Sequence, residues 1–183
     1  MKVLIAGAVV VALFVGLYLF GSTRRWSIST EIDIAAPPSV VWQALTDFKS
    51  YHEWNPAISR IDGEPIVGSK LKVTINPNAP TGAAMGSPEV LVSKPNEEFA
   101  WWERRGPPGF MYGVHYYRMT ATETGTHYVH GGDLTGLVTL LMNIKKLAPT
   151  NEQLYKGFNQ QNEALKKRAE ALARAEKLTH SVG

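Results

Sequence analysis

Residues 151–179 form one long amphipathic segment at the end of a chain that otherwise alternates over short stretches. Its apolar side chains recur at spacings of three, four and seven, which predicts a helix with one face directed at a core. This stripe consists of Leu154, Phe158, Leu165, Ala169 and Leu172. A helix packed across one face of a series of strands is typical of an α+β domain, and the segments before it supply those strands.

Upstream of this helix, the sequence predicts a strand, a short helical region and then a run of strands. Residues 27–35 alternate apolar and polar side chains, as a half-buried strand does. Pro37 and Pro38 end that strand, and a proline can open the helical region predicted over residues 39–51. Further strands are predicted at residues 58–61, 70–75, 89–93, 98–104, 111–122 and 126–134, with Pro- and Gly-rich loops at residues 76–88 and 106–109.

A run of 18 residues without a charge, from Val3 to Phe20, precedes these elements. As a helix it would span about 27 Å, close to the hydrocarbon thickness of a bilayer. No small-x-small cleavage site follows it, so we predict an uncleaved transmembrane anchor rather than a signal peptide. The paired Arg24 and Arg25 favour the cytoplasmic side for the rest of the chain. The chain therefore divides into an anchor with its basic flank, residues 1–25, and one domain, residues 26–183.

The distribution of charge argues against nucleic-acid binding. The chain has 19 basic and 16 acidic residues, and Lys2, Arg24 and Arg25 account for the whole net charge of +3. The rest is neutral overall, so no basic surface for a phosphate backbone is expected. The absence of cysteine excludes a disulfide framework, a thiolate zinc site and a cysteine nucleophile. No Gly-rich phosphate loop or hydrolase motif is present, so we expect no cofactor.

The longest predicted hairpin, residues 111–134, carries the candidate site. If Thr124 and Gly125 form its two-residue turn, Met119 lies opposite His130, and one face is richer in aromatic, Met and His side chains than the other. That face consists of His115, Tyr117, Met119, Ala121, Tyr128, His130, Gly132 and Leu134. A mostly apolar face with a few polar groups suits the wall of a ligand pocket. The alternative is a core histidine pair hydrogen-bonded to neighbouring tyrosines.

From this face and its neighbours we predict a set of ligand-binding residues. The set is His115, Tyr117, Met119, Tyr128, His130, Leu134, Trp101 and Phe158. If the protein is an enzyme, His115 and His130 are the candidate acid–base residues. No metal site is expected, because His127 and His130 are three apart on a strand and point to opposite faces. His115 and His130 have only Glu103 as a conceivable third ligand.

Several short motifs also appear in a known order along the chain. They are residues 32–37 (IDIAAP), Val40-Val41-Trp42, Asp47-Phe48, Tyr51, Trp54-Asn55-Pro56, Gly68, Gly113-x-His115-x-Tyr117, Gly125-Thr126, His130, Gly136 and residues 162–166 (NEALK). With these motifs the chain resembles the SRPBCC superfamily of START-like helix-grip domains, and within it the polyketide cyclase/dehydrase-like group, over about residues 26–178. One departure is Asp133-Leu134 before Gly136, where family members often have an acidic residue followed by Phe.

The resemblance implies a curved antiparallel sheet wrapped on the long C-terminal helix, with a cavity between them for a lipid, quinone or polyketide-like molecule. It implies no shared catalytic residues. Three functions follow as alternatives: membrane-tethered binding or transfer of an apolar small molecule, a cyclase or dehydratase using a cavity histidine, and a protein-interaction module with a filled cavity. We expect the first, because a lipid-like ligand is concentrated in the bilayer beside a tethered domain.

Overall fold

In the computed structural model, the chain forms its strands and helices in the predicted order. The structure describes residues 18–79, 85–142 and 151–181, together with Gly7, Val9, Ala12, Val15 and Gly16. The elements in these ranges are β1 (Arg25–Ile34), α1 (Pro38–Thr46), a 3-10 helix (Phe48–Ser50), α2 (Tyr51–Trp54), β2 (Ile58–Asp62), β3 (Lys72–Ile75), β4 (Met85–Gly86), β5 (Glu89–Lys94), β6 (Glu98–Arg105), β7 (Met111–Thr122), β8 (Gly125–Thr135), α3 (Val138–Leu141) and α4 (Asn151–Ser181).

The strands form two antiparallel sheets. The larger has the order β1-β8-β7-β6-β5, so the first strand pairs with the last, and the smaller has the order β2-β3-β4. A bridge between Lys70 and Glu89 connects them. The helix α4 packs against β1, β8 and α1. This arrangement confirms the predicted α+β class, and an antiparallel sheet with a long C-terminal helix fits the helix-grip fold.

The periodicity of the sequence accounts for where these elements bury their side chains. In β1, Ile28 and Ile34 are buried while the intervening Ser29 and Glu31 are exposed. The helix α1 begins at Pro38, since a proline at the first helical position loses no hydrogen bond that the helix needs. In α4 the predicted stripe faces the core, where Leu165 and Ala169 are almost completely buried.

The hairpin between β7 and β8 turns at Glu123 and Thr124, and the predicted turn at Thr124 and Gly125 is wrong. Thr122 pairs with Gly125, and Tyr117, not Met119, lies opposite His130. The predicted register is therefore wrong by two residues. Because side chains alternate with a period of two, this shift leaves every side chain on its predicted face.

Two predictions concern segments that the structure describes only in part. The predicted loop at residues 76–88 contains the short strand β4, which pairs with β3, and residues 80–84 lie outside the described ranges. Most of the predicted anchor at residues 3–20 also lies outside them. Among the residues that are described, none of the helices is both long enough and apolar enough to cross a membrane.

The described end of the N-terminal segment packs against the domain. Residues 18–22 are helical, and the Tyr18 hydroxyl donates a hydrogen bond to the carbonyl of Pro108. A Cβ atom at Gly21 would overlap Cδ2 of Leu137, so a larger residue there would require the Leu137 side chain to shift. The segment therefore meets the loop that carries Pro108 and the chain beside α3 directly before β1 begins.

Candidate functional site

A cavity of about 320 Å³ lies between the larger sheet, the smaller sheet and the amino-terminal part of α4. The apolar part of its wall includes Ile28, Val73, Trp101, Leu134, Leu154 and Phe158. Arg105 and Asp133 line the cavity and are also exposed, so the cavity reaches the surface beside them. Its volume suits one compact small molecule, since ligand pockets usually measure roughly 300–1,000 Å³. Side chains do not fill this space, which argues against the alternative of a protein-interaction module with a filled cavity.

The inward side chains of the larger sheet form successive rows, because its strands pair in register. The deep row consists of Thr30, His130, Tyr117 and Phe99. The middle row consists of Ile28, Gly132, His115 and Trp101. The outer row consists of Trp26, Leu134, Gly113 and Glu103. Successive rows are two residues apart, or about 7 Å.

His130 in the deep row is only 1% exposed. Its ring stacks on Phe158, with centroids 4.1 Å apart and an interplanar angle of 2°, and the Tyr117 ring lies 4.7 Å away. Burial, with a smaller contribution from nearby His115, lowers the pKa of His130 to about 3 against the opposing effect of its hydrogen bond with Asn162. The imidazole is therefore uncharged at neutral pH.

Three hydrogen bonds determine which ring nitrogen of His130 carries the proton. The backbone carbonyl of His130 can only accept, so the Thr30 hydroxyl donates to it over 3.5 Å. The Thr30 oxygen in turn accepts from Nδ2 of Asn162 at 2.9 Å, which leaves Oδ1 of Asn162 facing Nδ1 of His130 at 3.0 Å. That amide oxygen also only accepts. Nδ1 of His130 therefore holds the proton, and Nε2 holds a lone pair.

His115 in the middle row is partly exposed, because it faces the cavity. Its ring centroid lies 6.0 Å from that of His130 and 5.5 Å from that of Phe158. Although the ring faces the cavity, it lies inside the domain and away from bulk water. This burial lowers the pKa of His115 to about 4, and the carboxylate of Glu103 opposes the shift. The deep and middle rows thus present two neutral imidazoles in a largely apolar wall.

A charged pair lies farther out along β6. Oε2 of Glu103 is 3.1 Å from Nη2 of Arg105, and Oε1 accepts from the backbone N–H of Ser87 at 3.2 Å. Both side chains of the pair are partly exposed, so the pair contributes little to stability. The position of this pair makes the cavity wall more polar near the surface than around the two neutral histidines.

Six of the eight predicted ligand-binding residues line the cavity: His115, Tyr117, His130, Leu134, Trp101 and Phe158. Their contact with a ligand stays a prediction. The structure does not bring Met119 and Tyr128 to the cavity, since they are 5% and 1% exposed within the hydrophobic core. Both lie on the predicted face but beyond the deep row, toward the hairpin turn, where Leu165 and Ala169 belong to the same core cluster.

The hydrogen-bonding role of Asn162 is not among the predictions made from the sequence. This residue is four positions after Phe158 and three before Leu165, so it is a polar residue on the buried stripe of α4. That placement was the available signal, because a buried amide needs a hydrogen-bond partner. Within the part of the chain that the structure describes, no group of three His, Asp or Glu side chains is arranged to hold a metal ion.

Comparisons with known proteins agree with this architecture. The model of a family described as "Polyketide cyclase / dehydrase and lipid transport" matches residues 25–170. No curated protein matches the chain.

Solved structures of similar fold include aromatase/cyclases and a synthase. The di-domain ARO/CYC StfQ from the steffimycin biosynthetic pathway has a TM-score of 0.61 at 12% identity, over 84% of this chain and 52% of that one. This chain thus spans about half the length of StfQ. Zhui aromatase/cyclase from Streptomyces sp. R1128 has a TM-score of 0.58 at 16% identity, over 82% and 94% of the two chains. Norcoclaurine synthase from Thalictrum flavum has a TM-score of 0.58 at 14% identity, over 80% and 95%.

Proposed function

Because the chain belongs to the polyketide cyclase/dehydrase and lipid transport family, we propose that it binds one apolar or amphipathic small molecule between the larger sheet and α4. The observation that carries this proposal is the cavity of about 320 Å³, whose wall is mostly apolar. Apolar surface that a ligand buries there contributes about 25 cal/mol per Å² before the costs of association. A molecule with an apolar body is therefore the ligand that this wall favours.

We further propose that residues 3–20 tether the domain, residues 26–183, to a bilayer on its cytoplasmic side. The support is the uncharged run between Lys2 and the paired arginines Arg24 and Arg25. In addition, Trp26 lines the cavity a few residues after the helical residues 18–22. A ligand dissolved in the bilayer would therefore have a short path to the cavity.

The experiment that tests binding is mass spectrometry of organic extracts from the full-length protein purified in detergent. The matched control is Gly132→Leu. A Cβ atom at Gly132 would lie 3.4 Å from the His115 ring, an ordinary contact, and the rest of the leucine would occupy the cavity. We expect about one apolar molecule per wild-type chain and its depletion from the variant, in the same detergent. Equal extracts from the two proteins would contradict the proposal.

A second candidate function is a cyclase or dehydratase activity. It is favoured by the two imidazoles, 6.0 Å apart in the cavity, and by the orientation that Asn162 imposes on His130. The lowered pKa values of His115 and His130 disfavour it, since a histidine of pKa about 3 or 4 is a weak base at neutral pH. Turnover of a polyketide-like substrate that is lost in His115→Ala or His130→Ala would favour the enzyme, and turnover retained in both would exclude these histidines from the chemistry.

A further inference from the structure

The imidazole of His130 presents a hydrogen-bond acceptor to the cavity. In the described part of the chain, Nδ1 of His130 is bonded to Asn162 and nothing bonds to Nε2. His130 lines the cavity. Nε2 is not among the side-chain nitrogen and oxygen atoms that are both inaccessible to solvent and without a hydrogen-bond partner, so it is accessible from the cavity. A buried polar nitrogen is seldom left without a partner. The lone pair on Nε2 is therefore available to a bound molecule.

The tautomer of His130 makes this acceptor selective. Rotating or re-protonating the ring would break the bond to Asn162, which Thr30 and a backbone carbonyl hold in one orientation. Among the described residues, no comparable set of hydrogen bonds holds His115, whose neutral ring offers one donor and one acceptor. His115 can thus serve either kind of ligand group, whereas Nε2 of His130 can serve only a donor.

We infer that the ligand has a neutral hydrogen-bond donor, an O–H or N–H group, on an apolar body and donates it to Nε2 of His130. This inference rests on the proposed function and narrows the ligand to compact alcohols, phenols, enols, quinols or neutral N–H compounds. Esters, ethers and quinones cannot form this hydrogen bond with Nε2, because their oxygen atoms only accept. A hydrocarbon would bury the lone pair without replacing its hydrogen bond to water, which is unfavourable.

The charges around the cavity indicate that the donor is neutral. The deep row has no ionised side chain, whereas Glu103 is in the outer row, about 13 Å farther along the strands, and Arg105 lies beyond it. A ligand carboxylate beside His130 would lose its hydration without gaining a cation, and such burial is costly. A charged group on the ligand is therefore not expected beside His130.

Three probes of nearly the same shape test the inference: 2-naphthol, 2-methoxynaphthalene and naphthalene. Their binding to the full-length protein in detergent is followed by tryptophan fluorescence, since Trp101 is part of the cavity wall. The variant His130→Phe removes the acceptor and keeps an aromatic ring on Phe158. The control is His127→Phe, because His127 is on the outward face beside Glu31 and Asp33.

We expect wild-type protein to prefer 2-naphthol to 2-methoxynaphthalene by roughly 3- to 10-fold, the usual worth of one neutral hydrogen bond. His130→Phe should lose this preference and His127→Phe should retain it. Partitioning into detergent cancels when the ratio is compared between proteins. A preference that survives in His130→Phe would overturn the inference.

The outcomes separate the inference from the proposed function. If wild-type protein binds all three probes equally, the proposed function stands and the inference fails. If it binds none of them, both fail. Should His130→Phe not fold, ¹⁵N NMR of wild-type protein decides instead. Free protein should show His130 protonated at Nδ1 only, and 2-naphthol but not 2-methoxynaphthalene should shift the Nε2 resonance. A protonated Nε2 in the free protein would overturn the inference.

Discussion

The larger sheet has two halves built from the same strands. One half covers a packed hydrophobic core and the other covers the cavity. In the closed half, toward the β7–β8 turn, Met119 and Tyr128 are buried in the hydrophobic core. In the hollow half, toward the start of β1, the corresponding inward positions of these strands include Gly113 and Gly132, and the cavity lies beside them. The difference shows that the cavity depends on side-chain volume at a few inward positions, since the strand pairing is continuous through both halves.

The helix α4 crosses both halves, and its inward side chains differ between them. Leu165 and Ala169 are nearly inaccessible to solvent in the closed half. Toward its amino end, Leu154, Phe158 and Gln161 line the cavity. Asn162 lies between the two groups and holds His130 by a hydrogen bond. One helix thus supplies both the core that stabilises the fold and the wall that would contact a ligand.

Filling the hollow half should have the largest effect on ligand binding. Gly132→Leu should weaken the binding of naphthalene by up to roughly 100-fold, because overlap of this kind costs about 1–3 kcal/mol. Titration of tryptophan fluorescence measures the loss. Thr120→Leu, on the exposed outward face of β7, is the control and should bind normally. Normal binding by Gly132→Leu would place the probe outside the hollow half.

Truncation in the closed half should instead reduce stability. Leu165→Ala should lower the free energy of unfolding by about 3 kcal/mol, as expected for a packed leucine that leaves a void. The affinity of the folded protein for naphthalene should change little. Phe158→Ala should also lower stability, since its ring is buried, but it should lose more affinity for naphthalene than Leu165→Ala because that ring lines the cavity. Urea denaturation and probe titration of both variants check this, and the reverse order would contradict the division into two halves.

The two histidines should make stability depend on pH. Burial lowers their pKa values in the folded protein to about 4 for His115 and about 3 for His130, while an unfolded histidine titrates near 6.5. Below about pH 6.5 the unfolded state therefore binds more protons, and stability falls by roughly 1 kcal/mol per pH unit for each histidine until the folded pKa is reached. Denaturation at pH 7 and pH 5 measures the slope. His130→Phe should reduce it, and an unchanged slope would contradict the assigned burial.

The smallest effect is expected at Thr30. Thr30→Val keeps the shape of the side chain but removes the hydroxyl that accepts from Asn162. The free energy of unfolding should fall by about 1 kcal/mol. The preference for 2-naphthol over 2-methoxynaphthalene should also shrink, because the orientation of Asn162, and with it the tautomer of His130, is then less constrained. An unchanged preference, measured by the same fluorescence titration, would show that the bond from Asn162 alone holds the tautomer.

The elements and their faces could be predicted from the sequence because both follow from periodicity. Alternation in β7 and β8 assigned His115 and His130 to the inward face. A register error of an even number of residues does not change that assignment. The register itself was predicted wrongly. The sequence predicts Gly125 as a turn residue, whereas it is the first residue of β8, with a φ of +153°. A Cβ atom there would collide with the carbonyl of Ile34. Periodicity along one hairpin contains no information about that contact with β1.

The cavity was less accessible to sequence reasoning. Met119 and Tyr128 share a face with His130, and only the packing of α4 across the sheet decides that they are core residues. Asn162 interrupts an apolar stripe, which marks it as unusual, but its partners Thr30 and His130 are more than 30 positions away in the chain. Such long-range pairs follow from strand order and helix placement, which one sequence does not specify.

A crystal structure of the full-length protein grown with 2-naphthol would locate the bound probe and its hydroxyl. We expect the naphthalene rings to occupy the hollow half beside Trp101 and Phe158, with the hydroxyl within hydrogen-bond distance of Nε2 of His130. A hollow half occupied by the protein's own side chains, or a probe found only outside it, would contradict the proposed binding of a ligand in this cavity.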